Sequence, residues 1–410
     1  MKIRSITFFC NPKYPLDHAI LEGGAEFLRT ARAALEDAGF DVQTTRIATI
    51  PFPKLLGERN AGKLTALARE VDQVIQQLDV GYICLGPALP HLPESYEAVP
   101  EAIAATKNVF FGGVMAERRG GINLAALRAC ARIITRCSAI EANGFANLRF
   151  AALANVPAGT PFFPAAYHEG HLTAFGIATE AADLAVEAFT SALTVEAGRK
   201  ALITAIQKHA AILAKVSRAV VRTTMAAQRR APIFLGIDFS LAPFPQEQRS
   251  LGTAFERMGV PRVGQHGSLA AAAILTECID RARFPRAGFS GLFLPVLEDS
   301  TLAQRAAEGL LTVKDLLLYS AVCGTGLDTV PLPGEATEEQ LGAVLLDLSA
   351  LALRLDKPLT ARLMPVPGRK AGDATGFDFA FFSNSKVMEM DSDGLRLPLG
   401  AQAILHLDHR

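Results

Sequence analysis

The residues able to do chemistry stand at the ends of apolar runs. IFLGIDFS closes on Asp238 and Ser240, and LFLPVLED closes on Glu298 and Asp299. RFAALAN ends in Asn155, ITFFCNP in Cys10 and Asn11, and ARLMPVPGRK in the basic pair Arg369 and Lys370. In α/β proteins, side chains at the carboxyl ends of strands line the site, whatever the topology. Acids from two strand ends and bases from a third would then converge on one small anionic molecule. Asp238, Glu298 and Asp299 could serve in two ways. They could ligate Mg²⁺ or Mn²⁺ through oxygen, or their mutual repulsion could raise one pKa and make a general acid. The sequence leaves both open. Each acid also has an ordinary structural use, as a helix N-cap or a hydrogen-bonded buried carboxylate.

Three further stretches carry candidates. VGQHGSLAAAAIL sets His266 between Gly264 and Gly267, with Ser268 as expected N-cap of an Ala-rich helix and substrate contact. Backbone N–H groups freed by the glycines, at a helix N-terminus, favour an anion. His266 would be a base or a ligand there. YSAVCGTGLDTVPLPG puts Cys323 on a glycine loop and Asp328 at the start of a strand. A thiol so placed could be a nucleophile if a cation lowers its pKa. ANVPAGTPFFPAAYHEG makes a stiff loop beyond a strand, with Asn155 and His168 as substrate contacts and its aromatics as a pocket wall. FGGVMAERRGGINL could cradle an anion but lacks the Gly-Lys-Ser/Thr of a Walker A loop.

The elements that must position these groups are short apolar runs alternating with helical patterns. Expected strands are 3–10, 42–47, 81–85, 108–114, 149–155, 174–178, 232–238, 291–296, 327–332, 359–366, 377–382 and 401–405. Several are continuously apolar, as strands covered on both faces must be. Helical periodicity covers 25–38, 64–78 and 181–223, the last as two helices. Thr337 with Gln340 forms a capping box for a helix over 341–355. Arg128, Arg132 and Arg136 recur on one face of another helix, as an ion-paired surface would. About ten or more strands in this alternation predict one closed α/β barrel or a large doubly wound sheet. No linker or repeat divides residues 1–410, so a single domain is expected. The 410 residues balance 41 basic against 41 acidic side chains, which gives no global pull toward nucleic acid or membrane. Six scattered cysteines without a CxxC read as reduced thiols, and the N-terminus reads as a strand and not a signal peptide. A cytoplasmic protein is expected, and near-zero net charge with Ala-rich helices favours a homo-oligomer.

Taken in order, GIDFSLAP, VGQHGSLA, FLPVLED, AVCGTGLDTVPLPG and RLMPVPGRKAGD resemble the domain of unknown function 711 family. RFAALANVPAGTPFFPAAYH looks like a divergent branch of it. The resemblance covers most of the chain and is strongest from Arg149 onward. It implies a fold similar to the pyruvate formate-lyase-like glycyl radical enzymes: a ten-stranded α/β barrel entered by a hairpin loop. The Cys323 loop would match that hairpin. The tail LRLPLGAQAILHLDHR gives Gly400 no Arg-Val-x-Gly-Tyr context, so radical chemistry is not carried over.

The expectation is an enzyme with its pocket at a barrel mouth, acting on a small anionic metabolite by acid–base or metal-assisted chemistry. Asp238, His266, Glu298, Asp299, Cys323 and Asp328 would do the chemistry. Asn155, His168, Ser268, Arg369 and Lys370 would bind substrate. Two rivals are an acyl-transfer enzyme using Cys323 and a non-catalytic sensor of a metabolite or partner.

Overall fold

The computed structural model describes residues 1–57, 60–228, 230–401 and 403–408. Its strands are β1 (Lys2–Cys10), β2 (Val42–Thr49), β3 (Tyr82–Ala88), β4 (Val109–Glu117), β5 (Gly121–Asn123), β6 (Phe150–Ala154), β7 (Ala174–Glu180), β8 (Ile233–Asp238), β9 (Gly326–Pro333), β10 (Leu359–Val366) and β11 (Ile404–Leu405). All pair into one sheet in the order β8-β7-β1-β2-β3-β4-β6-β10-β9, with β5 and β11 off β4. The strands β1, β2, β3, β4 and β6 run parallel to one another. Beyond them the direction reverses on both sides. β7 is antiparallel to β1 and β8 follows it; β10 is antiparallel to β6 and β9 follows it.

The closed barrel is not what the ladders show, because β8 and β9 remain the two ends of the path. The expected strand at 291–296 is instead an irregular segment with single parallel bridges. Arg286 bridges Ile237 of β8, Leu292 bridges Leu241 just beyond it, and Pro295 bridges Asp328 of β9. Pro285 and Pro295 lack the N–H a ladder needs, and Ser290 sits at φ 44°. The run 377–382 is also no strand. Its aromatics are held in a loop whose ends pair through Ala374 and Lys386. The FGGVMAERRGGINL stretch forms the β4–β5 hairpin.

Helices α1 (His18–Asp37), α2 (Phe52–Leu56), α3 (Leu64–Gln77), α4 (Glu94–Ala104), α5 (Leu124–Ser138), α6 (Ala182–Thr190), α7 (Val195–Gln228), α8 (Leu251–Arg257), α9 (Ser268–Arg281), α10 (Ser300–Ala307), α11 (Val313–Ser320) and α12 (Glu338–Arg354) cover the sheet. α3 buries Leu64, Leu67, Ala68, Val71 and Ile75, the one-face spacing of a 3.6-residue period. α12 opens on the expected Thr337–Gln340 capping box. Arg132 and Arg136 of α5 both pair with Glu97 on the surface. No helix among the described residues is long and apolar enough to cross a membrane.

Alternation along β1 divides two cores. Ile3, Ile6 and Phe8 join the main core, whereas Phe9 packs in a separate cluster with Ala48, Cys84, Phe110 and Phe163. Phe163 comes from the connection 155–173. That loop turns inward over the concave face. The Thr7 hydroxyl donates to Pro161 O at 3.2 Å, the Cys84 thiol to Pro164 O at 3.4 Å, and His168 N–H to Thr49 O at 2.8 Å. Loop 155–173 makes these contacts with β1, β2 and β3, and the Cys323 turn does not. Cys323 is fully buried in the main core, outside the cluster that contains the inward loop.

Candidate functional site

A lone arginine interrupts each of three strands: Arg4 in KIRSITFFC, Arg46 in VQTTRIAT and Arg362 in LTARLMPV. A guanidinium in a strand covered on both faces needs acceptors or a cavity. All three face one cavity of about 680 Å³, open mouth included. Tyr82, Phe110, Phe162 and Phe163 supply its apolar walls, and Phe379 and Phe381 stand at its rim.

Two of the arginines are fully engaged. Arg362 Nε donates to Asp328 at 2.6 Å and Nη2 to Glu298 at 2.8 Å. Arg4 donates to the other oxygen of Glu298 and, at 3.1 Å, to Glu180. Glu180 also takes Arg249. The chain Arg249–Glu180–Arg4–Glu298–Arg362–Asp328 thus alternates in sign and balances. Burial alone would raise the Glu298 carboxyl, but Arg4 and Arg362 outweigh it and hold it below its ordinary value. Burial, and then Glu298, pushes Asp328 up against the opposing pull of Arg362.

Arg46 is the exception. Its Nε donates to Thr44 Oγ1 at 2.9 Å, and its guanidinium lies 5.1 Å from the Phe163 ring centre and 5.7 Å from that of Tyr82. Among the described residues it forms no ion pair. Burial first, and Arg4 next, pushes its pKa down to about 9. It is a half-buried cation between aromatic faces, with its outer N–H groups unclaimed.

A second cavity of about 350 Å³ shares Arg4, Phe162, Ala178 and Glu298 with the first. Asp238 and Asp328 line it. Asp238, at the end of β8, accepts from Ser240 Oγ and, at 2.8 and 3.0 Å, from the N–H groups of Ser290 and Phe289. It holds the turn 288–290, where a Cβ on Gly288 would lie 2.2 Å from Asp238 Oδ2. Burial pushes its pKa up to about 6.

The expected site is therefore brought together in part. Asp238, Glu298 and Asp328 meet at the two cavities. Asp299 turns away from Glu298 and ties two helix starts: its oxygens accept from Thr301 and Leu302 N–H at 3.0 Å, and from Leu251 N–H at 2.6 Å. The three carboxylates expected to share a metal are thus occupied by arginines or by backbone N–H groups. Among the described residues no group of three or more His, Cys, Asp or Glu is placed to hold a metal ion. His266 is exposed on an outer turn. Ser268 is the first residue of α9 and not its N-cap; its hydroxyl donates to Gln265 O at 2.8 Å. Asn155 lies beyond β6 and donates to Asp356 at 3.4 Å. His168 is buried beside Phe9, its Nε2 unpartnered. Arg369 and Lys370 are exposed beyond β10 and line neither cavity. The arginines that do line it were missed. Their signal was present: a lone arginine inside each of three segments that read as strands.

The fold and site define a mixed α/β protein with one large sheet and an arginine-lined cavity. The chain belongs to the family described as Uncharacterised ACR (DUF711), which it matches over residues 1–384. It is 34% identical to a UPF0210 protein of Pyrobaculum aerophilum over 397 residues, covering 91% of this chain and 87% of that one. It is 30% identical to a UPF0210 protein of Desulforudis audaxviator, covering 87% and 81%, and 28% identical to one of Syntrophobacter fumaroxidans, covering 90% and 85%.

Proposed function

We propose that the protein is an enzyme acting on a small organic anion by acid–base chemistry inside a curled sheet. The observation that carries this is Arg46, an unpaired guanidinium in a cavity otherwise walled by aromatic rings. A carboxylate there would accept its free N–H groups in charge-assisted hydrogen bonds while the rings exclude water. The balanced chain beside it keeps Arg4 and Arg362 in place and adds no competing anion.

The acid–base role falls to Asp238 and not to Glu298. Both Glu298 oxygens are taken by guanidinium groups, and its depressed pKa makes it a poor base. Asp238, pushed up to about 6, is closer to the value that general catalysis needs at neutral pH, and its Oδ2 takes only one N–H. Asp328 is a further acid in the same cavity.

The architecture suits this reading. If segment 286–297 counts as a strand bridging β8 and β9, two sets of five run in opposite directions: β1, β2, β3, β4 and β6 against β7, β8, the segment, β9 and β10. That is the ten-stranded barrel similar to the pyruvate formate-lyase-like fold, with loop 155–173 as its inward loop. The Cys323 nucleophile reading loses support, because the thiol lines neither cavity. The sensor reading uses the same site and differs only in the fate of the ligand.

The test is calorimetric titration with acetate and hexanoate, with an NMR time course of metabolite mixtures. Arg46→Met should weaken carboxylate binding about 10–100-fold, as loss of a charge-assisted hydrogen bond implies. Asp238→Asn should keep binding and abolish turnover. Equal binding by wild type and Arg46→Met would refute the site, and a ligand recovered unchanged from the wild type would favour the sensor.

A further inference from the structure

We propose that the two cavities form one bipartite site for a monocarboxylate with an apolar chain, its head on Arg46 and its body reaching past Phe162 into the chamber beside Asp238. This rests on the reading of Arg46 as an anion site. The chemistry of the two chambers differs. In the outer one, the free N–H groups of Arg46 await an acceptor. In the inner one the polar side chains are already engaged. Thr179 donates to Ser240 O at 2.9 Å, Ser240 donates to Asp238, and Asp328 and Glu298 hold Arg362. What the inner chamber offers a ligand is Ala178, Ala242, Pro243, Phe293, Pro295 and the Phe162 ring. A polar group entering it would find few partners, and a methylene chain would lose nothing.

Register sets the length of the ligand. Arg46 pairs with Thr7, Thr7 with Gly176, and Gly176 with Gly236, two residues before Asp238. Three ladders separate the two strand positions, roughly 14 Å of backbone across the sheet at about 4.8 Å per ladder. Acetate cannot touch both ends.

The experiment is calorimetric titration of the full chain with sodium n-alkanoates from acetate to octanoate, in wild type, Arg46→Met and Ala242→Leu. In the wild type each methylene entering the inner chamber should tighten binding about fourfold, until the chamber is full. Ala242→Leu should leave acetate affinity unchanged and weaken hexanoate at least tenfold. Acetate binding that depends on Arg46 with no gain along the series would overturn the bipartite site and leave the anion site standing. No difference between wild type and Arg46→Met for any acid would overturn both. The wild-type series decides the matter even if Ala242→Leu does not fold.

Discussion

Arg362 and Arg46 face the same cavity from opposite halves of the sheet, and they are held in opposite ways. Arg362, on β10, is clamped by Asp328 and Glu298 at 2.6 and 2.8 Å. Arg46, on β2, has only a threonine hydroxyl and two ring faces. The difference separates two uses of a buried cation. A paired one is part of the frame, since removing it strands its partners in a dry interior. An unpaired one is a standing cost to folding that a ligand relieves, as functional sites commonly are. The halves also differ in direction. β7 and β8 present the site from Ala178 and Asp238 in their carboxyl halves and β10 from mid-strand Arg362, whereas β1 and β3 present it from Arg4 and Tyr82 near their amino ends and β2 from Thr44 and Arg46 about its middle.

The largest expected effect tests the clamped half. Arg362→Met leaves two buried carboxylates without their shared guanidinium. It should cost about 3–5 kcal/mol in urea unfolding. Arg46→Met should cost less than about 0.5 kcal/mol by the same measurement, because it orphans no partner. Equal losses for the two would erase the distinction between frame and ligand site. A second, smaller effect concerns Asp238. Its folded pKa, about 6, lies above the ordinary 3.8. Between those values the folded state holds a proton that the unfolded state has released, so stability from this group falls as pH rises from 3.8 toward 6. The shift corresponds to ~2–3 kcal/mol. Asp238→Asn removes the titration. The stability gap between wild type and variant should therefore move against the wild type across that window, followed by denaturant unfolding at pH 4, 5 and 6. A constant gap would mean that the carboxyl stays ionised and cannot serve as the acid.

The contrast between halves also explains what the sequence let one read. Strand β6 was legible because it is an unbroken apolar run, β1 and β10 because apolar residues outnumber polar ones in them, and α12 because Thr337 and Gln340 announce its start. Asp238 and Glu298 stand where apolar runs end, and Asp328 at the start of the run that follows the CGTG loop. The rule of looking where runs end fails on the other half. Strand direction depends on which strands become neighbours, and β7 lying antiparallel beside β1 is a tertiary fact with no local signature. Asn155 and Asn11 therefore mark the end of the sheet away from the cavity. Residues 291–296 read as a strand by their apolar content, but Pro295 lacks the N–H of a ladder and the segment makes only single bridges. Glu298 and Asp299 read as a pair because adjacency in sequence was taken for a shared direction. In the structure one faces guanidinium groups and the other caps helices. The three strand arginines carried a signal of their own, a lone guanidinium inside a segment that reads as a strand.

The smallest effect is expected at the outer turn VGQHG, which shares glycines and a histidine with many ligand loops but not the geometry. Gly264 is at φ 99°, and a Cβ there would sit 1.9 Å from Leu310 O, so the glycine is needed to seat the turn against the α10–α11 connection. The Ser268 hydroxyl accepts from Gly264 N–H at 3.1 Å and closes the same turn. Packing accounts for both residues, which leaves exposed His266 with no task in the frame. His266→Ala should change stability by less than about 0.5 kcal/mol and leave alkanoate affinity and turnover as in the wild type. Gly264→Ala should be clearly destabilising at the same turn, because a backbone carbonyl cannot yield as a flexible side chain does. If His266→Ala instead lost turnover while remaining folded, catalysis would reach the convex surface, and the concave cavity would hold only half of the site.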